Sequence, residues 1–368
     1  MRFSTVLRWV FHTALVVGGA ALLHHLFPPY KWGWDIHDLI YRRLPPQDPD
    51  THIVVVDIGR MDRKALAYLL DRLSEAQPAF IGIDAVFPHP LSPEGDSLWE
   101  KALCQAHTRT TVCLAGSLDL TYPLPQAPPQ AVSTSRFTHC ATQAYANLLL
   151  HEPYAPKTVR TYLAYTVAGQ DTHYALALQA ALAIAPSLHV ELPHLPATGP
   201  IRYLGNIEHF YYLNGEEVLR DSLPLQWLRG KAVLLGIADP LRQSLEDIFF
   251  TPLNPGFLRQ TFPDMYGVVI HANIASMFVH RAFYKPIAEA WSYLATGIIY
   301  VLLAVLGIGL PHRFHWIAVR LSQIGALWGT VELTLWLGIK GLWFPAEPLI
   351  WGILLAGEVS LGSSSSRA

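Results

Sequence analysis

The stretch Met265-Tyr-Gly-Val-Val-Ile-His271-Ala-Asn273-Ile-Ala-Ser-Met277 determines how this chain is organised. Its apolar residues predict a helix, and the chain then continues through Tyr284-Lys-Pro286 into another apolar stretch. Upstream lies a long region of mixed polarity, and downstream lie three candidate membrane helices. A helix that starts in a folded domain and leads to a bilayer is suited to carrying a signal. The sequence therefore raises three candidate functions: a sensor, an envelope scaffold or an enzyme.

The composition is that of a membrane protein with one soluble domain. Hydrophobic residues make up 51% of the 368 residues and charged residues only 15%, whereas ordinary soluble chains carry about 25% charged residues. Most polar residues lie in the middle of the chain. The net charge of −2 gives no electrostatic reason to expect nucleic-acid binding.

Four apolar stretches are long enough to be membrane spans, since about 20 apolar residues cross a bilayer. They are Leu7–Phe27, Ala288–Leu310, Trp316–Ile339 and Trp343–Leu361. The first could also be a cleavable signal peptide, but no small-x-small cleavage site follows it, which favours an uncleaved anchor.

The basic residues that flank these spans predict the orientation. If every span crosses, one side of the membrane carries five arginines, namely Arg2, Arg8, Arg313, Arg320 and Arg367, against Lys340 alone on the other. We therefore expect that the chain crosses the inner membrane of a bacterial cell and that both of its termini lie in the cytoplasm. The predicted divisions are an anchor over 1–29, an extracytoplasmic domain over 30–286, a three-helix membrane region over 287–362 and a cytoplasmic tail over 363–368.

The extracytoplasmic region reads as an α/β domain with a mixed, mostly buried sheet of at least four strands. Continuous β-branched or apolar runs predict buried strands, and apolar residues at helical spacing predict helices. The predicted strands are Ile53–Ile58, Ala79–Phe87, Thr110–Ala115, Thr158–Val167, Ile201–Gly205 and Leu228–Gly236, and the predicted helices are Asp35–Leu44, Lys64–Leu73, Gly95–Ala106 and Tyr174–Ile184.

Two aspartates end buried strands at the edge where ligands collect in open α/β sheets. Asp57 and Asp84 could hydrogen-bond a ligand or bind a cation, or they could cap helices and order loops. The second interpretation is favoured over direct catalysis, because no positioned acid–base partner is evident.

Three ordered motifs resemble the second type of CHASE domain, an extracytoplasmic sensory family. They are Gly230-Lys-Ala-Val-Leu-Leu-Gly236, Asp247-Ile-Phe-Phe-Thr251-Pro-Leu and Gly267-Val-Val-Ile-His271-Ala-Asn273, with Asp57 and Asp84 upstream. The resemblance covers about Asp35 to Pro286 and includes the three spans that follow. It implies that the ligand-binding or motif residues are Asp57, Asp84, Asp247, Thr251, His271 and Asn273.

The sequence departs from this family in two respects. It lacks a Trp-Pro-Trp-Pro-Arg-like loop after Asp57, and no nucleotide-binding or catalytic signature follows the spans. We therefore expect no enzymatic activity and no cofactor, and we expect any output to come from a partner protein.

Within the last motif, His271 and Asn273 lie two residues apart and should not share a helix face. Hydrogen bonding to nearby loops is favoured over ligand contact for both, because buried polar groups are usually satisfied locally. The 17 histidines are scattered without a metal-ligand spacing, so no metal site is predicted.

Cysteine and membrane carboxylates supply two further expectations. Cys104, Cys113 and Cys140 would allow one disulfide in an oxidising compartment, with its connectivity open, and Cys113 could simply be a core residue. Glu332 lies near the middle of a predicted span, so it is expected to contact a protein partner there.

These observations favour a membrane sensor that recognises an unknown envelope signal. Its expected partners are the bilayer and other membrane or envelope proteins, and it could also form a homo-oligomer. The second hypothesis is a non-catalytic structural subunit of a multi-protein envelope complex. The third is a hydrolase built on Asp57, Asp84 and Asp247, and it comes last because no nucleophile–base pair supports it.

Overall fold

The computed structural model describes residues 3–27, 35–122, 126–150, 158–220, 223–241, 244–256, 262–308 and 312–365. The chain divides into two compact units. The sheet unit takes in the described residues between Pro45 and Phe283. The helical unit takes in those up to Leu44 and from Tyr284 onward.

The sheet unit contains a seven-stranded sheet and several short strand pairs. Its strands are β1 (Asp50–Asp57), β2 (Phe80–Ile83), β3 (Thr111–Leu118), β4 (Pro129–Ala131), β5 (Thr142–Tyr145), β6 (Thr161–Leu163), β7 (Tyr165–Ala168), β8 (Asp171–Tyr174), β9 (Thr198–Pro200), β10 (Phe210–Asn214), β11 (Ala232–Gly236), β12 (Ile248–Phe249) and β13 (Met265–Tyr266). The helical unit adds β14 (Lys285–Pro286) and β15 (Leu342–Trp343).

Helices occur in both units. Those of the helical unit are α1 (Phe3–Leu26), α2 (Asp38–Arg43), α10 (Ala290–Ile308), α11 (His312–Ile339) and α12 (Ala346–Ser365). Those of the sheet unit are α3 (Arg63–Glu75), α4 (Pro93–His107), α5 (Ser135–Thr138), α6 (Leu176–Ile184), α7 (Leu188–Glu191), α8 (Gly215–Leu219) and α9 (Gly267–Val279).

The main sheet runs in the order β10-β1-β11-β2-β3, with β5 parallel and β4 antiparallel to β3. The other pairings in this sheet are parallel, so the predicted mixed α/β sheet is confirmed. β1 and β2 are joined through α3 but are not neighbours, since β11 lies between them. Both faces of β1 are buried, as its continuous apolar run predicted.

Helices cover the sheet on two sides. α3 and α4 form one core with alternate sheet residues that include Val54, Val56 and Ile81, and Trp99 is fully buried there. α6 and α9 pack on the strands as well. α9 comes so close to β11 that a Cβ atom on Gly236 would lie 2.6 Å from Val268 Cβ. Glycine at this strand end is therefore required for the helix to pack.

Between Thr158 and Asn214 the sequence-based prediction of strands was wrong in three respects. The predicted strand Thr158–Val167 is divided at Ala164 into β6 and β7, which pair with different partners. Ile201–Gly205 is not a strand; it is irregular chain whose backbone is bonded by the Asn273 side chain. The strand in this region is β10, at Phe210–Asn214, which the sequence analysis missed.

The predicted short helix after the first apolar stretch is confirmed as α2, and the helical unit ties it to the C-terminal part of the chain. His37 Nδ1 lies 2.6 Å from Asp35 Oδ1, its Nε2 lies 2.8 Å from the carbonyl oxygen of Phe344, and its ring stacks on Trp343. Burial alone would lower the pKa of His37, but Asp35 and Glu347 raise it to about 9. The imidazole is therefore charged at neutral pH and donates both hydrogen bonds.

Glu332 has a partner within its own chain. Arg43 donates to both of its carboxylate oxygens, at 2.6 and 3.1 Å, and both side chains are partly exposed. This pair gives a reason for the acidic residue in α11 that needs no second protein. A partner contact at Glu332 stays a prediction.

Within the described residues, one helix segment, Trp9–Leu26, is long and apolar enough to cross a membrane. Ala290–Val305 is a shorter apolar helix. α11 and α12 carry Arg320, Glu332, Glu347 and Glu358, which lower their apolar character. The three C-terminal spans therefore stay predictions.

The disulfide joins Cys104 of α4 to Cys140, which follows α5. Cys113 is a free thiol buried in β3, and burial raises its pKa to about 12. Its place in the core agrees with the interpretation of Cys113 as a packing residue.

This arrangement predicts a specific alkylation pattern for protein isolated from membranes without reductant. The folded protein should take up no iodoacetamide, the denatured protein one equivalent at Cys113, and the denatured and reduced protein three. Peptide mass spectrometry should find Cys104 linked to Cys140. A link that includes Cys113, or three reactive thiols before reduction, would contradict the assignment.

Candidate functional site

Three ionisable side chains from distant parts of the chain meet at the carboxyl edge of the main sheet. Asp84 follows β2, Asp247 precedes β12, and His271 lies one turn into α9. His271 Nε2 is 3.9 Å from Asp84 Oδ2. The Asp247 carboxylate lies against the first residue of α9, since a Cβ atom on Gly267 would be 2.6 Å from Asp247 Oδ2. We call Asp84, Asp247 and His271 the acid–histidine cluster.

The structure of α9 explains why these groups meet. Gly267 and His271 are four residues apart and therefore lie on the same face of the helix. A carboxylate at the amino end of a helix is stabilised by the helix dipole, and the main-chain N–H of Gly267 also donates to the Asp247 carbonyl oxygen at 2.8 Å. Asp247 has a left-handed backbone with φ of 54°, a conformation that costs energy for a residue other than glycine.

The cluster holds its charges at an energetic cost. Burial raises the pKa of Asp84 to about 7. Burial, and then the neighbouring Asp84 charge, raise the pKa of Asp247 to about 7, although His271 opposes this. Burial lowers the pKa of His271 to about 4 despite the nearby Asp247. At neutral pH the histidine is therefore neutral and the two carboxyl groups are partly protonated.

One atom of this cluster is poorly satisfied by hydrogen bonds. His271 Nδ1 is buried and has no hydrogen-bond partner of normal geometry among the described residues, although the main chain of Ala146 lies close enough to raise the pKa of the ring. Buried polar atoms without partners are rare in folded proteins and call for an explanation. Buried groups with shifted pKa values are typical of functional sites.

Replacing Asp84 by Asn should stabilise the protein increasingly as the pH rises from 4 to 7. The unfolded carboxyl ionises near its usual pKa of 3.8 and the folded one near 7, so the folded state carries a growing penalty across this range. The gain should level off above pH 7 at up to about 4 kcal/mol, at about 1.4 kcal/mol per pKa unit. Denaturant unfolding at several pH values measures it.

The matched control is Asp48→Asn, since Asp48 is an exposed aspartate of the same unit. It should leave the pH dependence of stability unchanged. An Asp84→Asn variant whose stability follows wild type at every pH would show that Asp84 ionises normally.

Asp57 does not take part in the acid–histidine cluster by any described contact. Its Oδ1 accepts hydrogen bonds from the main-chain N–H groups of Gly59, at 3.0 Å, and Ala238, at 2.9 Å. It thereby holds together the loops that follow β1 and β11. Gly59 has φ of 47°, which favours glycine. The geometry of Asp57 agrees with the loop-ordering interpretation.

Thr251 belongs to another network, which the sequence analysis did not identify. Its N–H donates to Asp264 Oδ1 at 2.9 Å and its hydroxyl to Asp264 Oδ2 at 2.5 Å. Asn254 Nδ2 donates to Asp264 Oδ1 at 2.9 Å. Asp264 therefore closes the turn that starts at Thr251. A hint lay in the Thr-Pro and Pro-Asp turn residues around it.

Asn273 fixes a loop on the opposite side of α9 from His271, as the two-residue spacing predicted. Its Oδ1 accepts from the N–H groups of Leu204 and Gly205, at 2.8 and 3.2 Å. Its Nδ2 donates to the carbonyl oxygens of Gly205 and Val269, both at 2.9 Å. The side chain is fully buried and uses both of its polar atoms on the main chain.

Asn273→Ala should lower the free energy of unfolding by about 2–4 kcal/mol, because it leaves buried main-chain groups without partners. Denaturant unfolding at pH 7 is the measurement, with Gln105→Ala as the control for an exposed amide in α4. Equal loss in both variants would mean that the Asn273 hydrogen bonds contribute nothing net.

A groove of about 390 Å³ opens where β1 and β2 lead into α3 and α4. Its lining includes Met61, Lys64, Val86, His89 and the buried Arg63. The Arg63 guanidinium donates to Asp96 and to the main-chain oxygen of His89, and it lies over Phe87. The groove is at the expected edge of the sheet, but neither Asp57, Asp84 nor Asp247 lines it.

Metal-binding types of side chain converge at three other places in the described parts of the chain. The groups, each with its ligand atoms within 4.8 Å of one another, are Cys104–His139–Cys140, Asp50–His52–His280 and Asp35–His37–Glu347. The sequence analysis predicted no metal site, because in each group two members are close neighbours in the sequence and a distant residue completes the set.

The fold and the buried edge cluster define an α/β domain with a polar site where ligands bind in such sheets. A CHASE2 domain family model matches residues 13–309, which is most of the chain, and the chain belongs to this family. CHASE2 domains are extracytoplasmic sensory domains, so the resemblance drawn from the motifs is confirmed. Comparison with curated proteins and with solved structures gave no match.

Proposed function

We propose that this protein is a membrane-anchored sensor whose CHASE2 domain detects an envelope signal and passes it to a partner protein. The observation that carries the proposal is the acid–histidine cluster at the amino end of α9. The two carboxyl groups ionise near neutral pH, so small changes around them alter the charge that the helix end experiences. A bound ligand or a proton can shift such an element by its different affinity for the two charge states.

The path of the chain supports this role. α9 ends at Val279, and the chain passes through Tyr284-Lys-Pro286 to α10, which begins at Ala290 after ten intervening residues. The apolar segment Trp9–Leu26 is suited to anchoring the domain. The Cys104–Cys140 disulfide agrees with an oxidising compartment outside the cytoplasm. We propose that both termini are cytoplasmic and that residues 30–286 are outside.

A second candidate function is a structural subunit of an envelope assembly. The observation in its favour is that the side chains of Asp57, Thr251 and Asn273 form hydrogen bonds with other groups of the same domain. Those contacts make a rigid domain and need no ligand. The acid–histidine cluster is the feature that such a scaffold does not require, because its burial only destabilises the fold.

The test is affinity purification of the full-length protein from native membranes in gentle detergent, followed by quantitative mass spectrometry. The wild type is compared with Asp84→Asn, which fixes an uncharged side chain, and with the exposed control Asp48→Asn. A sensor should retain a single signalling partner, and Asp84→Asn should change the amount recovered while Asp48→Asn should not.

A constant set of several envelope proteins in fixed ratio, recovered equally with all three forms, would replace the sensor by the structural subunit. Recovery of the protein alone from all three forms would contradict both functions.

A further inference from the structure

A separate group of side chains, away from the carboxyl edge of the sheet, has the composition of a metal site. Asp50 and His52 are two residues apart at the start of β1 and so lie on one side of the strand. His280 is the C-cap residue of α9. Its Nε2 is 3.0 Å from Asp50 Oδ2, and His52 Nδ1 is 3.3 Å from Asp50 Oδ1.

The two nitrogen–oxygen separations are close to those of a tetrahedral cation site, and the three ligand atoms lie within 4.8 Å of one another. Zinc binds imidazole nitrogen and carboxylate oxygen at about 2.0–2.2 Å, which places neighbouring ligand atoms about 3.3 Å apart. The carboxylate side chain of Asp50 is fully buried, whereas His52 and His280 are about half exposed. A cation can therefore reach the two rings from solvent and bind the carboxylate on its buried side.

The carboxylate is held in place by contacts of the kind that support metal ligands. Ser276 Oγ donates to Asp50 Oδ2 at 2.5 Å, and the main-chain N–H of His52 donates to Oδ1 at 2.6 Å. Such outer hydrogen bonds orient ligating groups.

The other two groups with metal-binding side chains are already satisfied. Cys104 and Cys140 are joined in a disulfide. The charge on Asp35 is balanced by protonated His37, which uses both ring nitrogens as donors. At Asp50 the contact to His52 is longer, with Nδ1 at 3.3 Å from Oδ1, and the half-exposed His52 ring packs edge-on against the His280 ring.

We propose that Asp50, His52 and His280 form a binding site for a divalent transition-metal cation of the zinc class. Imidazole ligands select zinc, nickel and copper over magnesium and calcium, which prefer oxygen. Three protein ligands leave a fourth position for water or for a group from another molecule. This inference is independent of the sensor proposal.

The position of the site gives the cation a mechanical effect. The sheet unit begins at Pro45 and ends at Phe283, so Asp50 and His280 lie close to its two ends in the sequence. A cation bound to both ends would join the start of β1 to the last turn of α9. Binding should therefore stabilise the unit and order its ends.

The experiment uses the purified full-length protein in detergent, non-reduced, stripped with EDTA and then freed of chelator. Zinc binding is measured by isothermal titration calorimetry, cobalt binding by its visible absorption, and thermal unfolding with ZnCl₂ or with MgCl₂. The variants are His280→Ala, His52→Ala and Ser276→Ala. The control is His194→Ala, an exposed histidine of the same unit outside the three groups.

Wild type and His194→Ala should bind one zinc ion more tightly than the background of other histidines, and zinc but not magnesium should raise their melting temperature. His280→Ala and His52→Ala should each lose this ion. Ser276→Ala should weaken it by roughly 10–100-fold, as outer-shell changes do. Cobalt should show tetrahedral absorption bands when bound to wild type or His194→Ala. His280→Ala and His52→Ala should not show these bands.

Equal zinc stoichiometry and affinity in wild type, His280→Ala and His52→Ala would overturn the proposal and leave an ion pair only. Unfolding curves in EDTA show whether each variant is folded. His52→Ala removes a half-exposed ring whose contacts are with Asp50 and the His280 ring, so it serves as the decisive variant if His280→Ala does not fold.

Discussion

The close approach of α9 to the main sheet is the constraint on which the rest of this domain depends. It requires a residue without a side chain at Gly236, where any Cβ atom would collide with Val268. It also requires Gly267, where the Asp247 carboxylate takes the space that a side chain would fill. Because α9 is buried along nearly its whole length, every polar side chain on it must find a partner or bear a cost.

Three polar residues of α9 meet this requirement in different ways. Asn273 is fully satisfied by the main chain of another loop, and Ser276 by the carboxylate of Asp50. His271 is buried and lies close to the Asp84 and Asp247 carboxyl groups, and its Nδ1 makes no hydrogen bond of normal geometry within the described residues. Well-satisfied polar contacts and a charge-sensitive group thus occur on the same helix. A helix fixed along one side, with ionisable groups at its amino end, is suited to respond locally, whatever the stimulus.

The sequence predicted the parts of this structure that depend on local pattern. The apolar runs of β1, β2, β3 and β11 and the spacing of α3 and α4 identified the layers, and Asp57 and Asp84 pointed to the carboxyl edge of the sheet as the candidate site. What failed depends on contacts between distant residues. Ile201–Gly205 has the composition of a strand, but main-chain N–H groups of this segment donate hydrogen bonds to the Asn273 side chain and not to a neighbouring strand. Likewise Asp50, His52 and His280 carry no local motif, because a strand start and a helix end bring them together.

The order of strands in the sheet has a consequence for how the protein is made. β1 is the first strand of the described residues to be synthesised, yet its partners there are β10 and β11, and Val54, for example, lies between Tyr211 and Val233. Such long-range pairing is slow and leaves unpaired strand edges exposed to aggregation. If the domain is exported across a membrane as it is translated, β1 must wait on the far side of that membrane until nearly the whole domain has emerged. Completion of the sheet would then depend on export as far as β11, and chaperones outside the cytoplasm would meet an unpaired β1 first.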